Sequence, residues 1–213
     1  MNLREAFDNL ATIRQRLAES ELFRGYRALP VAISGIVAIA AGILQPLITP
    51  EPMRHYALYV ALWLSVAILS LTAAGMTMWM RDHFAGPSHT RAITWLAIRQ
   101  FVPCLVAGAA VTGVIIRESP ESAWLLPGIW QLFFCQGIFA SCRMLPRPVF
   151  AIGVFYLLSG VASLELFRDA WALSPLAMAV PFGLGQLMTA SILYWTLERA
   201  PAGQGSNLSR NDK

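Results

Sequence analysis

Charge is what this chain has least of. Asp, Glu, Lys and Arg make up 13% of its 213 residues, about half the share of a soluble domain, and the mean hydropathy is +0.55. Lysine is nearly missing: Lys213 stands alone beside fifteen arginines, a pattern that reads as coding bias. No carboxylate falls in the middle of a long apolar stretch, which counts against a proton or sodium pump built on a buried acid. No histidine does either, which argues against bis-histidine haem ligation. The chain has no His-Glu-x-x-His, no Gly-x-Ser-x-Gly and no phosphate-binding glycine loop. Cysteine is limited to Cys104, Cys135 and Cys142, all inside apolar stretches, where the residue packs as a small hydrophobe more readily than it forms a disulfide. Asp82, His83 and His89 share one loop at a spacing that suits a metal, but Gly86 and Pro87 mark that loop as a plain turn. These absences leave no catalytic residue, metal ligand or cofactor to name, and the reading leans away from an enzyme, with an intramembrane enzyme using cytoplasmic polar residues the least supported alternative.

Apolar runs fill most of the remainder. Six of them, at 29–48, 56–80, 93–116, 123–142, 148–167 and 174–197, are separated by short polar loops. Each reaches the ~20 residues a helix needs to cross a hydrocarbon layer of ~30 Å. The fold class that follows is all-α: an integral membrane bundle of six transmembrane helices. Residues 28–199 form that bundle, 200–213 a flexible polar tail, and 1–27 an N-terminal segment with its own pattern. In that segment Leu3, Ala6, Phe7, Leu10, Ile13 and Leu17 recur at three- and four-residue steps opposite Arg4, Glu5, Asp8, Gln15, Arg16 and Glu19. Such spacing predicts an amphipathic helix. Its five arginines face four acids, so it is too weakly basic to bind anionic lipid by charge alone. Docking on the bundle, a partner membrane protein or a second copy is the better reading, and a homo-oligomer through this helix is one form of it.

The pI of 9.3 does not point to nucleic acid, because the basic residues are sorted by side. When loops and ends are assigned alternately to two faces, Arg4, Arg14, Arg16, Arg24, Arg27, Arg81, Arg91, Arg143, Arg147, Arg199, Arg210 and Lys213 fall on one. Only Arg54, Arg117 and Arg168 fall on the other. Basic residues are retained on the cytoplasmic side during insertion, which predicts both termini in the cytoplasm. The first apolar run is too long for the core of a cleavable signal peptide.

Polar and helix-breaking residues inside the spans are the candidate functional positions. Gln131, Gln136 and Gln186 either bond helices together or line a shared polar cavity. Pro103, Pro127 and Pro181 are expected to kink spans three, four and six. Stripes of small residues run down span one (Ser34, Ala38, Ala41, Gln45), span four (Gly128, Gln131, Cys135, Cys142) and span six (Ala179, Gly183, Gln186, Ala190), and predict close crossings. Arg99 is the one basic residue within a span. It shares a face with Pro103, Ala110 and Gly113 that is expected to point inward, and a structural ion pair with Glu198 would satisfy it.

Several stretches resemble a small uncharacterised family of bacterial multi-pass inner-membrane proteins: Phe23-Arg-Gly-Tyr-Arg27, Val102-Pro-Cys-Leu-Val106, Phe139-Ala-Ser-Cys-Arg-Met-Leu-Pro-Arg-Pro148 and Tyr194-Trp-Thr-Leu-Glu-Arg199. The resemblance implies a bacterial inner membrane, but that family has no established activity and no site transfers. Two functions stand from the residues: an accessory, regulatory or assembly subunit without catalysis, and a small transporter or channel with a polar cavity between kinked helices three, four and six. In both the bilayer is the first partner.

Overall fold

The computed structural model describes residues 28–84, 90–142 and 145–199, and within them the side chains apart from those at 78, 81–84, 90–98, 170, 197 and 198. The expected N-terminal amphipathic helix, the polar tail, residues 85–89 and the side chains of Asp82, His83 and Glu198 lie outside what is described, although the backbone of Asp82 and His83 belongs to the second long helix and not to a loop.

Six long helices account for nearly all of the described chain: α1 (Ala28–Ile48), α2 (Tyr56–Phe84), α3 (Thr90–Glu118), α4 (Leu126–Ser141), α5 (Val149–Leu166) and α6 (Leu176–Leu193). All six are long and apolar enough to cross a membrane, once a 3-10 stretch, Pro120–Leu125, is counted with α4. An even number of crossings puts Ala28 and Arg199, the two ends of the described bundle, on one side, called here the terminal side; the other is the distal side. The helices form an open curve in the order α2, α1, α6, α5, α4, α3, with α1 against α6 and α4 against α5 as the most intimate pairs.

Those two pairs are close because their contact faces have almost no side chain. On α1 and α6, a Cβ placed on Gly42 would collide with the Cβ of Ala179, and one on Gly35 would stand 3.0 Å from the Gly183 carbonyl. On α4 and α5, a Cβ on Gly128 would meet Leu164 Cγ at 2.6 Å and the Gly160 carbonyl at 2.9 Å. Lipid tails are as apolar as leucine, so membrane helices gain from backbone proximity and dispersion more than from burial. The small-residue faces of α1, α4 and α6 accordingly lie against protein: Ala38, Ala41, Gly128, Cys135, Gly183 and Ala190 are all buried.

One of the three prolines is placed differently from the sequence expectation. Pro103 and Pro181 lie inside α3 and α6. Pro127 does not interrupt a helix; it occupies the first turn of α4, where its missing N–H is one the helix leaves unpaired in any case. The apolar run is shared between a 3-10 segment opened by Pro120 and a helix opened by Leu126-Pro127. An interior proline that the sequence reading passed over, Pro46, sits in the last turn of α1.

The face of α3 is also reversed. Arg99, Pro103, Ala110 and Gly113 are exposed, and no atom lies within 4 Å of a Cβ built on Gly113. The packed side carries Gly108 and Thr112 instead, set against Phe133 and Trp130 of α4. Small side chains do not mark an inward face when the alternative surroundings are also apolar; an available bonding partner does.

Candidate functional site

The interior polar side chains gather into bonded nodes between helices. The distal node centres on Gln45, which is 1% exposed. Its Nε2 donates to the Leu173 carbonyl at 2.8 Å, and its Oε1 accepts the Trp63 indole N–H at 3.0 Å. One side chain thereby joins α1, α2 and the α5–α6 loop. The loop turns inward for this: Leu173 adopts φ 57°, a left-handed conformation rare for a bulky residue, and is fully buried. It packs in a cluster with Tyr59, Trp63, Ala123, Leu126 and Met178. The strain of such a backbone persists only where surrounding contacts fix it, and here both the carbonyl and the side chain are held.

Gln131 forms the central node. It is fully buried, and its Nε2 faces the Ala177 carbonyl at 2.8 Å, Ser163 Oγ at 3.0 Å and the Pro127 carbonyl at 3.1 Å. Two amide hydrogens are thus shared among acceptors on α4, α5 and the start of α6. A third node links α3 to α4: the Trp130 indole N–H donates to Thr112 Oγ1 at 2.8 Å, and that hydroxyl donates to the Gly108 carbonyl at 2.7 Å. Inter-helix bonds of this kind contribute roughly 0.6–2 kcal/mol each. Towards the terminal side the core turns aromatic. Phe134 of α4 stands between Phe101 of α3 and Phe182 of α6, with ring centroids 5.2 and 5.4 Å away, and 4.8 Å from Tyr156 of α5.

The candidate glutamines do not converge. Gln131 is enclosed between three elements, Gln136 is exposed on another side of the same helix, and Gln186 is half-buried beside Gly35. Gln186 also lies nine residues along α6 from the Ala177 carbonyl that Gln131 uses, about 13 Å of helix. Pro127 is buried and serves the central node through its carbonyl; Pro181 is buried in α6, and Pro103 is exposed. Arg99 is exposed and makes no ion pair with a described side chain, and the main packing partner of α3 is α4. The described ion pairs, Arg54–Glu51, Arg117–Glu118 and Arg168–Glu165, all lie exposed on the distal side.

Sequence reasoning passed over most of the distal node. Gln45 stood out only as the polar end of a small-residue stripe. Its partners gave less signal, since a tryptophan in an apolar run shows nothing of where its N–H points, and a backbone carbonyl leaves no mark in sequence. Ser163 and Thr112 were likewise invisible as partners, being short hydroxyl residues that commonly bond their own helix.

Among the described residues, four buried polar atoms have no partner: Tyr59 Oη, Tyr156 Oη, Gln131 Oε1 and Gln100 Oε1. Among the described residues no group of three or more His, Cys, Asp or Glu side chains is placed to hold a metal. Comparison with known proteins finds no matching family model, no matching curated protein and no matching solved structure.

Proposed function

We propose that this chain is a non-enzymatic accessory or assembly subunit of a bacterial inner membrane, acting by lateral contact with another membrane protein, with both termini in the cytoplasm. The observation that carries the reading is how unevenly the bundle uses its helices. The amides of Gln45 and Gln131 are spent on tying the bundle together. The terminal-side half of α2, by contrast, is only thinly packed: Ile68, Leu69, Leu71, Thr72 and Met76 are all exposed. Only 17% of the apolar stretch of α2 and 11% of that of α3 is buried, against 33–44% for the other four. A helix released from its own bundle over half its length offers a face to lipid and to other helices alike. The cytoplasmic placement of the ends rests on the sorting of twelve basic residues against three, and the bacterial membrane on the sequence resemblance.

The unpaired Gln131 Oε1, Tyr59 Oη and Tyr156 Oη favour a second reading, a small transporter or channel. Buried polar atoms without partners are unusual, and a hydrated solute path would serve them. Cys135 separates the two readings, because it is fully buried one helical turn from Gln131 on the same face. With Cys104 and Cys142 replaced by serine, a charged thiosulfonate added to intact membranes should leave Cys135 unmodified if the chain is a subunit. Labelling from either side would place Cys135 on a water path and support transport.

A further inference from the structure

Helix α6 does not end as an α-helix. Its last residues, Tyr194–Glu198, are wound into a π-turn, and the Arg199 N–H donates five residues back to the Tyr194 carbonyl at 3.0 Å. The bundle is finished before this turn begins: Leu193, 1% exposed, closes the packing with Ala28, Val31 and Ala190 of the α1–α6 pair. Beyond it the large side chains face outward. Tyr194 is 47% exposed and Trp195 59%, with rings edge-to-face at 6.2 Å, and the Arg199 guanidinium lies over the Trp195 indole, 4.1 Å from the ring centroid. None of this exposed aromatic area holds the fold together.

Depth gives the cluster its meaning. The apolar stretch of α6 ends at Thr196, so Trp195 and Arg199 straddle the level where hydrocarbon gives way to headgroups on the terminal side. Tryptophan prefers that level. The guanidinium cannot shed its charge and carries five donors in a flat fork. Stacking on the indole occupies one face of that fork, restricts its orientation and leaves the edge donors free. A fixed fork of this kind matches the paired non-ester oxygens of a phosphodiester. Among the described side chains, which do not include that of Glu198, no carboxylate pairs with Arg199.

We propose that the π-turn of α6 is a headgroup site for an anionic phospholipid of the terminal-side leaflet, with Arg199 binding the phosphate and Trp195 orienting the guanidinium. The π-turn starts the step outward from the packed face, and the stacked pair stands where a lipid phosphate lies. The site depends on the chain spanning a bilayer and not on whether it acts as a subunit or a transporter.

The test uses the full chain in nanodiscs of phosphatidylcholine with one part in five phosphatidylglycerol, and counts retained lipids by native mass spectrometry. The wild type should retain phosphatidylglycerol over phosphatidylcholine, and Arg199→Gln should reduce that preference about fivefold, the effect of one arginine at a charged surface. Arg199→Lys should keep the charge but lose part of the preference, and Trp195→Leu should do the same by releasing the fork. Arg147→Gln removes another exposed terminal-side arginine and should change nothing. If Arg199→Gln does not assemble, the Arg199→Lys and Trp195→Leu arms carry the decision. Unchanged preference in the Arg199 and Trp195 variants, or an equal loss in Arg147→Gln, overturns the site. Glycerophosphate at millimolar concentration should not displace the lipid; displacement would identify a soluble-anion site and overturn the lipid assignment.

Discussion

Helices α1 and α6 meet through glycine, and so do α4 and α5; Gly75 of α2 and Gly113 of α3 face no neighbour. A Cβ at Gly42 or Gly128 would strike a neighbour, whereas at Gly75 and Gly113 it would meet nothing within 4 Å. The same contrast holds for glutamine, with Gln131 bonded to three elements and Gln136 exposed. Residue type therefore does not decide whether a position is structural here. The presence of a bonding or backbone partner across the crossing does. The bundle divides into a fixed interior of four helices and two flanks: α2 is held mainly near its distal end, where Tyr59, Val60 and Trp63 are buried, and α3 packs on α4 through Phe101, Gly108 and Thr112 and leaves its other face open.

Matched substitutions in the two regions test that division, and the largest difference is expected at the glycines. Gly128→Leu forces a branched side chain into contact with Leu164 and the Gly160 carbonyl, and should cost at least about 1–3 kcal/mol. Gly113→Leu should stay within about 0.5 kcal/mol. Unfolding of both variants by graded denaturant in detergent micelles compares them directly, and equal losses would erase the distinction between core and flank.

The glutamines come next. Gln131→Leu leaves the Ala177 carbonyl and Ser163 Oγ without their amide donor and should cost about 1–3 kcal/mol; Gln136→Leu should be close to neutral. In the distal node, Trp63→Phe deletes the N–H that meets Gln45 Oε1 while keeping an aromatic ring in place. A loss of roughly 0.6–2 kcal/mol is expected there, from the bond alone. If Gln131→Leu and Gln136→Leu behave alike, the central node does not hold the helices.

The smallest effect should separate two strained residues in one loop. Asp169 and Leu173 both have positive φ, 47° and 57°, but Asp169 is exposed and Leu173 is buried. Asp169→Gly should raise stability by up to about 1 kcal/mol by relieving the backbone. Leu173→Gly relieves the same strain yet removes a core side chain, and should lower stability by about 1–2 kcal/mol net, since burying a leucine contributes ~1.5–3 kcal/mol. Opposite signs from two like substitutions would show that burial, not backbone geometry, holds the loop in.

Much of this architecture is legible in the sequence because hydrocarbon thickness imposes a length on every span. The expected run 56–80 lies within α2, and 148–167 differs from α5 by one residue at each end. What composition could not supply was orientation about each helix axis. The small residues of α1, α4 and α6 do face protein, but the comparable face of α3 does not, because Thr112 and Gly108 have partners on α4 and Ala110 and Gly113 have none. Hydropathy is equally blind to Pro127, since a 3-10 turn followed by a helix gives the same apolar run as one kinked helix. Gln45 was visible as an amide in hydrocarbon, but the receiver of its proton, a backbone carbonyl in a loop 128 residues away, carries no residue code.

The division between fixed interior and free flank makes lateral contact through α2 the central claim, and photo-crosslinking in native membranes tests it most directly. A photoreactive residue placed at Ile68, Thr72 or Met76 samples the exposed face of α2; the same residue at Ile36, Ile43 or Leu47 samples the exposed face of α1, which is just as apolar. The account predicts a discrete protein adduct, of one mass and one identity, from the α2 positions and only lipid adducts from α1. Lipid adducts alone from both helices, or the same protein adduct from both, would contradict it.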